Sequence, residues 1–342
     1  MSGDITMNTP IVTFLVPCYN VSHCVEHCLQ SILASPVSDK VEVLAINDGS
    51  KDNTSEILHS YEIRYPGIVR VIDKPNGGWG TAINMGVVEA KGKYLKEVDA
   101  DDWVETEQLE AYITTLESIE VDYVATDYKE FWAKEDKYIR HSYQKAIYNK
   151  IQTPDAFWEN HPTAWDFPIH AITYRTQFLQ EIGLTVGDRY YGDIEYNLYP
   201  ATQIKSITAL PCCITVYFRG SDEQSTSTAG YAKHYKDYVA LSMRLISYLD
   251  KVPQLHPHFA HFVKDTIYGT AARAYHLMMS PVYAANQPDA KQDLKAYDAW
   301  LKETNQAVYE YCGKIRRRGV RNIWIWRKTG INLATLVAKG RR

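Results

Sequence analysis

With 342 residues, 45% of them hydrophobic, and a net charge of −4, the chain is long enough for one large domain or two smaller ones around a sizeable core. No run of about 18 apolar residues offers a membrane span, and residues 1–10 are too short and polar a stretch for a secretory signal. Six cysteines (Cys18, Cys24, Cys28, Cys212, Cys213 and Cys312) form no disulfide framework in a chain of this length, so a reducing cytoplasm is the expected compartment.

Residues 11–16 are a continuous apolar run stopped by Pro17, which predicts a strand buried on both faces. Ser22 is placed to cap a helix over 23–34, where Val25, Cys28, Leu29, Ile32 and Leu33 recur at helical spacing. His23-Cys24 and His27-Cys28 have metal-like spacing on that helix, but no second pair completes a tetrahedral site, and the two cysteines read more simply as apolar helix positions. A second buried strand at 41–46 ends in Asn47-Asp48-Gly49-Ser50, and Asp52 then caps a helix reaching Arg64. Strand 69–72, helix 80–89 and strand 94–98 follow. This alternation implies parallel pairing and right-handed crossovers.

In open sheets of this kind ligands bind at the carboxyl ends of the strands. The polar punctuation falls there each time, at Pro17-Cys18-Tyr19-Asn20, Asn47-Asp48-Gly49-Ser50, Lys74-Pro75-Asn76-Gly77-Gly78 and Asp99-Ala100-Asp101-Asp102. The Gly77-Gly78-Trp79-Gly80 turn is neither a dinucleotide fingerprint nor a phosphate loop; its glycines serve either tight helix–strand packing or the close approach of a ligand. Asp99, Asp101 and Asp102 crowd three carboxylates into four residues, an arrangement that repels itself unless a cation sits between them. Hard divalent ions such as Mn²⁺ and Mg²⁺ take carboxylate oxygens and keep positions open for substrate phosphates. Residues i and i+2 project to the same side of an extended backbone, so Asp99 and Asp101 can converge while Asp102 points elsewhere.

Beyond residue 122 the pattern loosens. Strands are expected at 122–126, 167–174, 206–210 and 214–218, a helical turn at 177–182, and largely helical structure over 230–310. Two carboxylates, Asp193 and Glu195, stand among aromatics in Tyr190-Tyr191-Gly192-Asp193-Ile194-Glu195-Tyr196. Ten Lys and Arg and no acid follow Glu310, leaving the first 310 residues at −14. With Trp324 and Trp326 between the arginines, that tail suits an anionic bilayer surface, or else packs its tryptophans onto the body. It carries no recognisable nucleic-acid fold, so no nucleic-acid partner is expected.

The four strand-end motifs together, with Asn84 and the later Gly192-Asp193, resemble glycosyltransferase family 2 over residues 11–225. That resemblance implies an α/β GT-A fold, with a nucleotide-sugar-binding catalytic domain at 1–225, a helical region at 226–312 and a basic tail at 313–342. It implies an inverting transfer from a nucleotide-sugar donor, most often UDP-linked, to a glycan or lipid-linked acceptor, as in cell-surface polysaccharide synthesis. Donor contacts would fall on Pro17, Tyr19, Asp48, Asn76, Gly78, Asp99 and Arg219. Asp99 and Asp101 would hold Mn²⁺ or Mg²⁺, and Asp193 would be the general base. His170 would meet the acceptor, and Glu195 is a rival base. A cytoplasmic enzyme, peripheral at the inner face of the membrane and open to homo-oligomer formation, is the resulting expectation.

The chain departs from the family pattern at three positions. Asn47 replaces a common Asp, Ile83 stands where relatives carry an Arg just before Asn84, and Gly192 replaces the usual Glu before the base. Any phosphate contact from the missing Arg would have to come from elsewhere, with Lys74 and Arg219 as candidates. These departures keep open a non-catalytic sugar-nucleotide-binding partner of another transferase. A nucleotidyltransferase would normally carry a Gly-rich basic loop after its first strand, which Pro17-Cys18-Tyr19-Asn20 is not.

Overall fold

The structure is a computed structural model that describes residues 9–142, 147–160, 168–220, 228–252, 257–284, 287–316 and 319–334. It divides into two compact units, Met1–Gly220 and Ser221–Arg342.

The first unit begins with β1 (Val12–Cys18), α1 (Val25–Leu33), β2 (Val41–Asn47), α2 (Thr54–Arg64), β3 (Val69–Asp73), α3 (Trp79–Glu89) and β4 (Tyr94–Glu97). The four strands pair in parallel in the order β3-β2-β1-β4, as the alternation requires. β2 and β4 are buried along their whole length. Val12, Phe14 and Val16 of β1 and Val43 and Ala45 of β2 pack with Cys28, Leu29 and Ile32 of α1, so Cys28 is an apolar core residue. Ser22 does not cap α1 with its side chain. Its main-chain N–H donates to Asp52 Oδ2 at 3.1 Å, while Asp52 Oδ1 takes the N–H and hydroxyl of Thr54, so Asp52 ties the first two strand-end loops together.

β5 (Trp103–Val104), α4 (Thr106–Ser118), β6 (Tyr123–Trp132), β7 (Lys137–His141), α5 (Pro154–Asn160), β8 (Ile172–Arg175), α6 (Thr176–Glu181), α7 (Gly192–Ala201) and β9 (Ile207–Arg219) complete the unit. The sheet runs β3-β2-β1-β4-β8-β6-β9-β5, with β7 added on β6. β8 is antiparallel to both β4 and β6, which returns β6 and β9 to the direction of the first four strands. The strand expected at 122–126 extends to Trp132, and the two expected at 206–210 and 214–218 are one continuous β9. Its register against β6 slips on both sides of Asp127, which lets exposed Pro211 sit inside a strand without leaving a ladder bond broken. Tyr123 of β6 and Leu95 of β4 both pair with Tyr174, so β6 continues well past the end of β4.

The second unit is helical, with α8 (Thr228–Lys233), α9 (Tyr235–Tyr248), α10 (Pro257–Met279), α11 (Pro281–Ala284), α12 (Ala290–Thr304), α13 (Gln306–Lys314) and α14 (Asn322–Thr329). Leu241 and Leu245, Ala271 and Tyr275, and Tyr297 and Leu301 are buried along three of these helices. Part of the basic tail belongs to this core. Arg327 donates to Asp298 Oδ1 at 2.6 Å, to the Tyr275 hydroxyl and to the Tyr309 carbonyl, and its guanidinium lies 3.4 Å from the centre of the Tyr309 ring. Ile323 is buried while Trp324 remains exposed; residues 335–342 lie outside the described residues. Among the described residues, no helix is long and apolar enough to cross a membrane.

Removing one partner of a desolvated ion pair leaves the other uncompensated. Arg327→Met is therefore expected to destabilise the second unit by about 2–3 kcal/mol, the lower part of the usual range because Asp298 keeps some solvent. Urea denaturation followed by far-ultraviolet circular dichroism measures it.

Candidate active site

Asp48 ends β2 with its side chain almost wholly buried. Its carboxylate pairs with the Lys74 ammonium and accepts hydrogen bonds from Asn76 Nδ2 and from the main-chain N–H groups of Gly77 and Gly78, at 3.2, 2.9 and 2.8 Å. Lys74 also donates to the Pro75 carbonyl and the Thr81 hydroxyl. Asp48, Lys74 and Asn76 thus fold the loop before α3 around one charge. Asn47 performs a related task, donating to Asp73 and accepting from the N–H of Ser50. Tyr19 stands exposed at the end of β1, next to Asn20, whose left-handed backbone lets it bond to Ser50 and Lys51.

At the end of β4 the carboxylates separate as i, i+2 geometry requires. Asp102 is buried and accepts the N–H of Phe218 on β9 at 2.8 Å, so it anchors the turn to the neighbouring strand. Asp99 is half-buried and Asp101 exposed. Burial, and then the Asp101 charge, push Asp99 up to about 6. Asp101 is raised as well, by burial, with His23 opposing. Beneath them Glu97 is buried, its Oε1 without a hydrogen-bond partner among the described residues, and desolvation followed by the Asp99 charge holds it well above the usual carboxylate range. Uncompensated acid of this kind, presenting oxygen ligands at a crevice, fits a hard divalent cation. Among the described residues no three-ligand cage of His, Cys, Asp or Glu occurs, so a cation on Asp99 and Asp101 would take its other ligands from substrate and water.

The segment before α7 lies against α3. A Cβ on Gly78 or Gly80 would overlap the carbonyl oxygens of Asp188 and Gly187, and the Gly80 N–H donates to the Asp188 carbonyl at 2.9 Å. Of the two uses expected for this glycine turn, close backbone packing is the one present. Asn84 grips the same segment, bonding both the N–H and the carbonyl of Val186 at 2.9 Å. Glu195, on α7 and 1% exposed, accepts from the Gly187 N–H and the Tyr199 hydroxyl, one on each oxygen. Clamped from both sides, residues 186–191 deliver Asp193 into the first turn of α7, open to solvent. The surrounding protein raises its pKa, against the pull of the Asp193 and Ile194 N–H groups, and its charge is felt at Asp99. Two carboxylate groups distant in sequence therefore share one crevice.

The wall beside them is built by β6 and β9. Burial raises the Tyr217 hydroxyl to about 12, with Asp102, Asp99 and Asp101 adding to the shift. His170 stacks on the Tyr217 ring at 4.4 Å, and burial lowers its pKa to about 3, so it is neutral. Arg219 lies over Tyr217 and is paired with Glu130 at 2.9 Å. Neither Lys74 nor Arg219 is therefore a spare cation, and Ile83 is buried in the core. Arg189 was not singled out in the sequence. It is exposed, forms no ion pair with a described residue, and has its Cα against Gly78.

Asp48→Ala would leave the Lys74 ammonium and two main-chain N–H groups without their acceptor. A loss of about 3 kcal/mol or more in thermal or urea unfolding is expected.

A family model described as Glycosyl transferase family 2 matches residues 13–183. The uncharacterized glycosyltransferase EpsJ of Bacillus subtilis (strain 168) is 26% identical over 211 residues, 61% of each chain. Chondroitin synthase of Pasteurella multocida (strain Pm70) is 40% identical over 101 residues, which is 30% of this chain and 10% of that protein. The chain thus spans well under two thirds of these relatives. Among solved structures, S. aureus TarS 1–349 in complex with UDP-GlcNAc superposes with a TM-score of 0.61 at 16% identity, over 93% of this chain and 92% of that one. Mannosyltransferase PcManGT from Pyrobaculum calidifontis, in complex with GDP-Man and Mn²⁺, gives 0.52 at 17% identity, over 89% and 86%. At such identities the likeness is one of fold.

Proposed function

The chain belongs to glycosyl transferase family 2, and from that premise we propose that it transfers one sugar from a UDP-linked donor to a hydroxyl of a glycan or lipid-linked acceptor, inverting the anomeric carbon. The observation that carries this reading is the meeting of Asp99, Asp101 and Asp193 in one crevice, where the charge of Asp193 acts on Asp99. A UDP-GlcNAc-bound structural neighbour and chondroitin synthase among the relatives support the donor class and a role in cell-surface polysaccharide assembly.

The donor lies across the ends of β1, β2 and β4. Tyr19 and Pro17 line the nucleotide side, and the turn organised by Asp48 presents Asn76 and Gly78 to it. Asp48 itself acts through that turn, because its oxygens are already engaged. Arg189 is the cation we assign to the diphosphate in place of the family Arg lost at Ile83. Asp99 and Asp101 hold Mn²⁺ or Mg²⁺, which when bound offsets charge on the departing diphosphate. Asp193 takes the proton from the acceptor hydroxyl as its oxygen attacks the anomeric carbon, opposite the breaking bond to the diphosphate. A carboxylate raised by its surroundings is a better base than an ordinary surface one. Glu195, buried and doubly bonded, serves to place Asp193. Arg219 and His170 shape the acceptor side through Tyr217.

Release of nucleoside diphosphate from UDP-, GDP- and dTDP-sugars with Mn²⁺ tests this. One donor should turn over, and Asp101→Ala and Asp193→Asn should each lower kcat by about a hundredfold or more. Turnover unchanged by Asp193→Asn would remove the assigned base, and binding without turnover in the presence of lipid and glycan acceptors would favour the non-catalytic partner.

The exposed face of α14, with Arg321, Trp324 and Lys328, is the part of the tail we assign to an anionic cytoplasmic membrane face. Because Arg327 is integral to the core, surface substitution is a cleaner probe than deletion. Arg321→Ser with Lys328→Ser is expected to weaken sedimentation with phosphatidylglycerol vesicles by about tenfold or more, at about 1 kcal/mol per charge. Undiminished binding would assign the tail to packing alone.

A further inference from the structure

Trp79 occupies the first position of α3, between the two carboxylate elements of the site. Its indole Nε1 donates to Asp99 Oδ1 at 3.3 Å. The far side of the same ring closes over Gly192, where a Cβ would lie 3.1 Å from Cζ3 and 3.3 Å from Cε3 of the indole. Its edge meets Tyr196 of α7 at 6.5 Å and 77°. One side chain thus touches the carboxylate that ends β4 and the helix that carries Asp193. The glycine that departs from the family pattern leaves room for that ring.

From these contacts we infer that Trp79 is a positioning residue, fixing Asp99 and Asp193 relative to each other, and that Gly192 is its steric complement. This rests on the assignment of Asp99 to the donor and Asp193 to the acceptor proton. The indole does two separable things. Its N–H orients one carboxylate oxygen of Asp99 and leaves the other for the donor side. Its six-membered ring fills the volume above Gly192 and so sets the height of the first turn of α7. Phenylalanine at this position keeps an aromatic ring but lacks the N–H and the outer atoms that approach Gly192.

Two measurements test the inference, and the first needs no turnover. In ¹⁵N-labelled protein the chain's 8 tryptophans give indole cross-peaks, and the one missing from Trp79→Phe belongs to Trp79. That peak should move furthest in Asp99→Ala and little in Asp101→Ala; an unmoved peak in Asp99→Ala overturns the contact. The second measurement is kinetic, on whichever donor wild type turns over. Trp79→Phe should lower kcat about tenfold, with donor KM nearly unchanged and the unfolding temperature close to wild type. Gly192→Ala should lower kcat in wild type but much less in the Trp79→Phe background, because the outer ring atoms it strikes are gone. Wild-type kcat in Trp79→Phe, or equal effects of Gly192→Ala in both backgrounds, overturns the inference. If wild type turns over no donor, the functional reading fails, and the resonance of Trp79 still decides whether the indole holds Asp99.

Discussion

A carboxylate taken out of water must be answered by other groups, and the way Asp48 is answered determines much of the first unit. An ammonium, a side-chain amide and two consecutive main-chain N–H groups converge on it, and satisfying that one charge specifies the path of residues 74–78. The path in turn sets the angle at which α3 leaves the sheet. Because α3 enters through glycines, its first turn approaches the main chain of 187–188 with no side chain between. Asn84 and Glu195 then hold that segment from opposite ends. The reacting carboxylates are therefore positioned by a sequence of satisfied polar groups that begins at Asp48 and ends at α7, and hydrophobic burial supplies the frame on which it hangs.

This division of labour explains which parts were legible in the sequence. The first four strands were readable because burial on both faces leaves uninterrupted apolar runs, and the loops because polar residues mark the edge where ligands collect. Asp102 was separable from Asp99 and Asp101 by the two-residue period alone. The long β9 was not, since a proline and two cysteines at 211–213 interrupt its pattern, and only pairing with β6 across a register slip shows that the strand continues. α4 was missed although Leu109, Tyr112, Ile113 and Leu116 keep helical spacing, because the carboxylate turn before it drew the reading away.

Side-chain engagement is the harder quantity. Nothing in the string of residues distinguishes an aspartate that waits for a ligand from one already bonded four ways, nor an arginine free for phosphate from one held by Glu130. Glu195 and Asp193 are alike on paper and differ by one residue of helical rotation, which turns the first into a clamp and the second toward solvent. Arg327 gives the same lesson in the second unit. Counted with its neighbours it is part of a basic tail, and placed in space it is a core residue with an aromatic ring on each side.

The fit between Trp79 and Gly192 also bears on how such a site changes over generations. A glutamate before the base and an indole at the start of α3 claim the same volume, so neither exchange is tolerated while the other bulky residue remains. Passage between the two arrangements must go through a form with small side chains at both places, and the order of steps is constrained even though each end state is well packed. Chains that have made the passage are separated from those that have not by a depleted intermediate, which makes the pair of positions a lineage marker as well as a structural one.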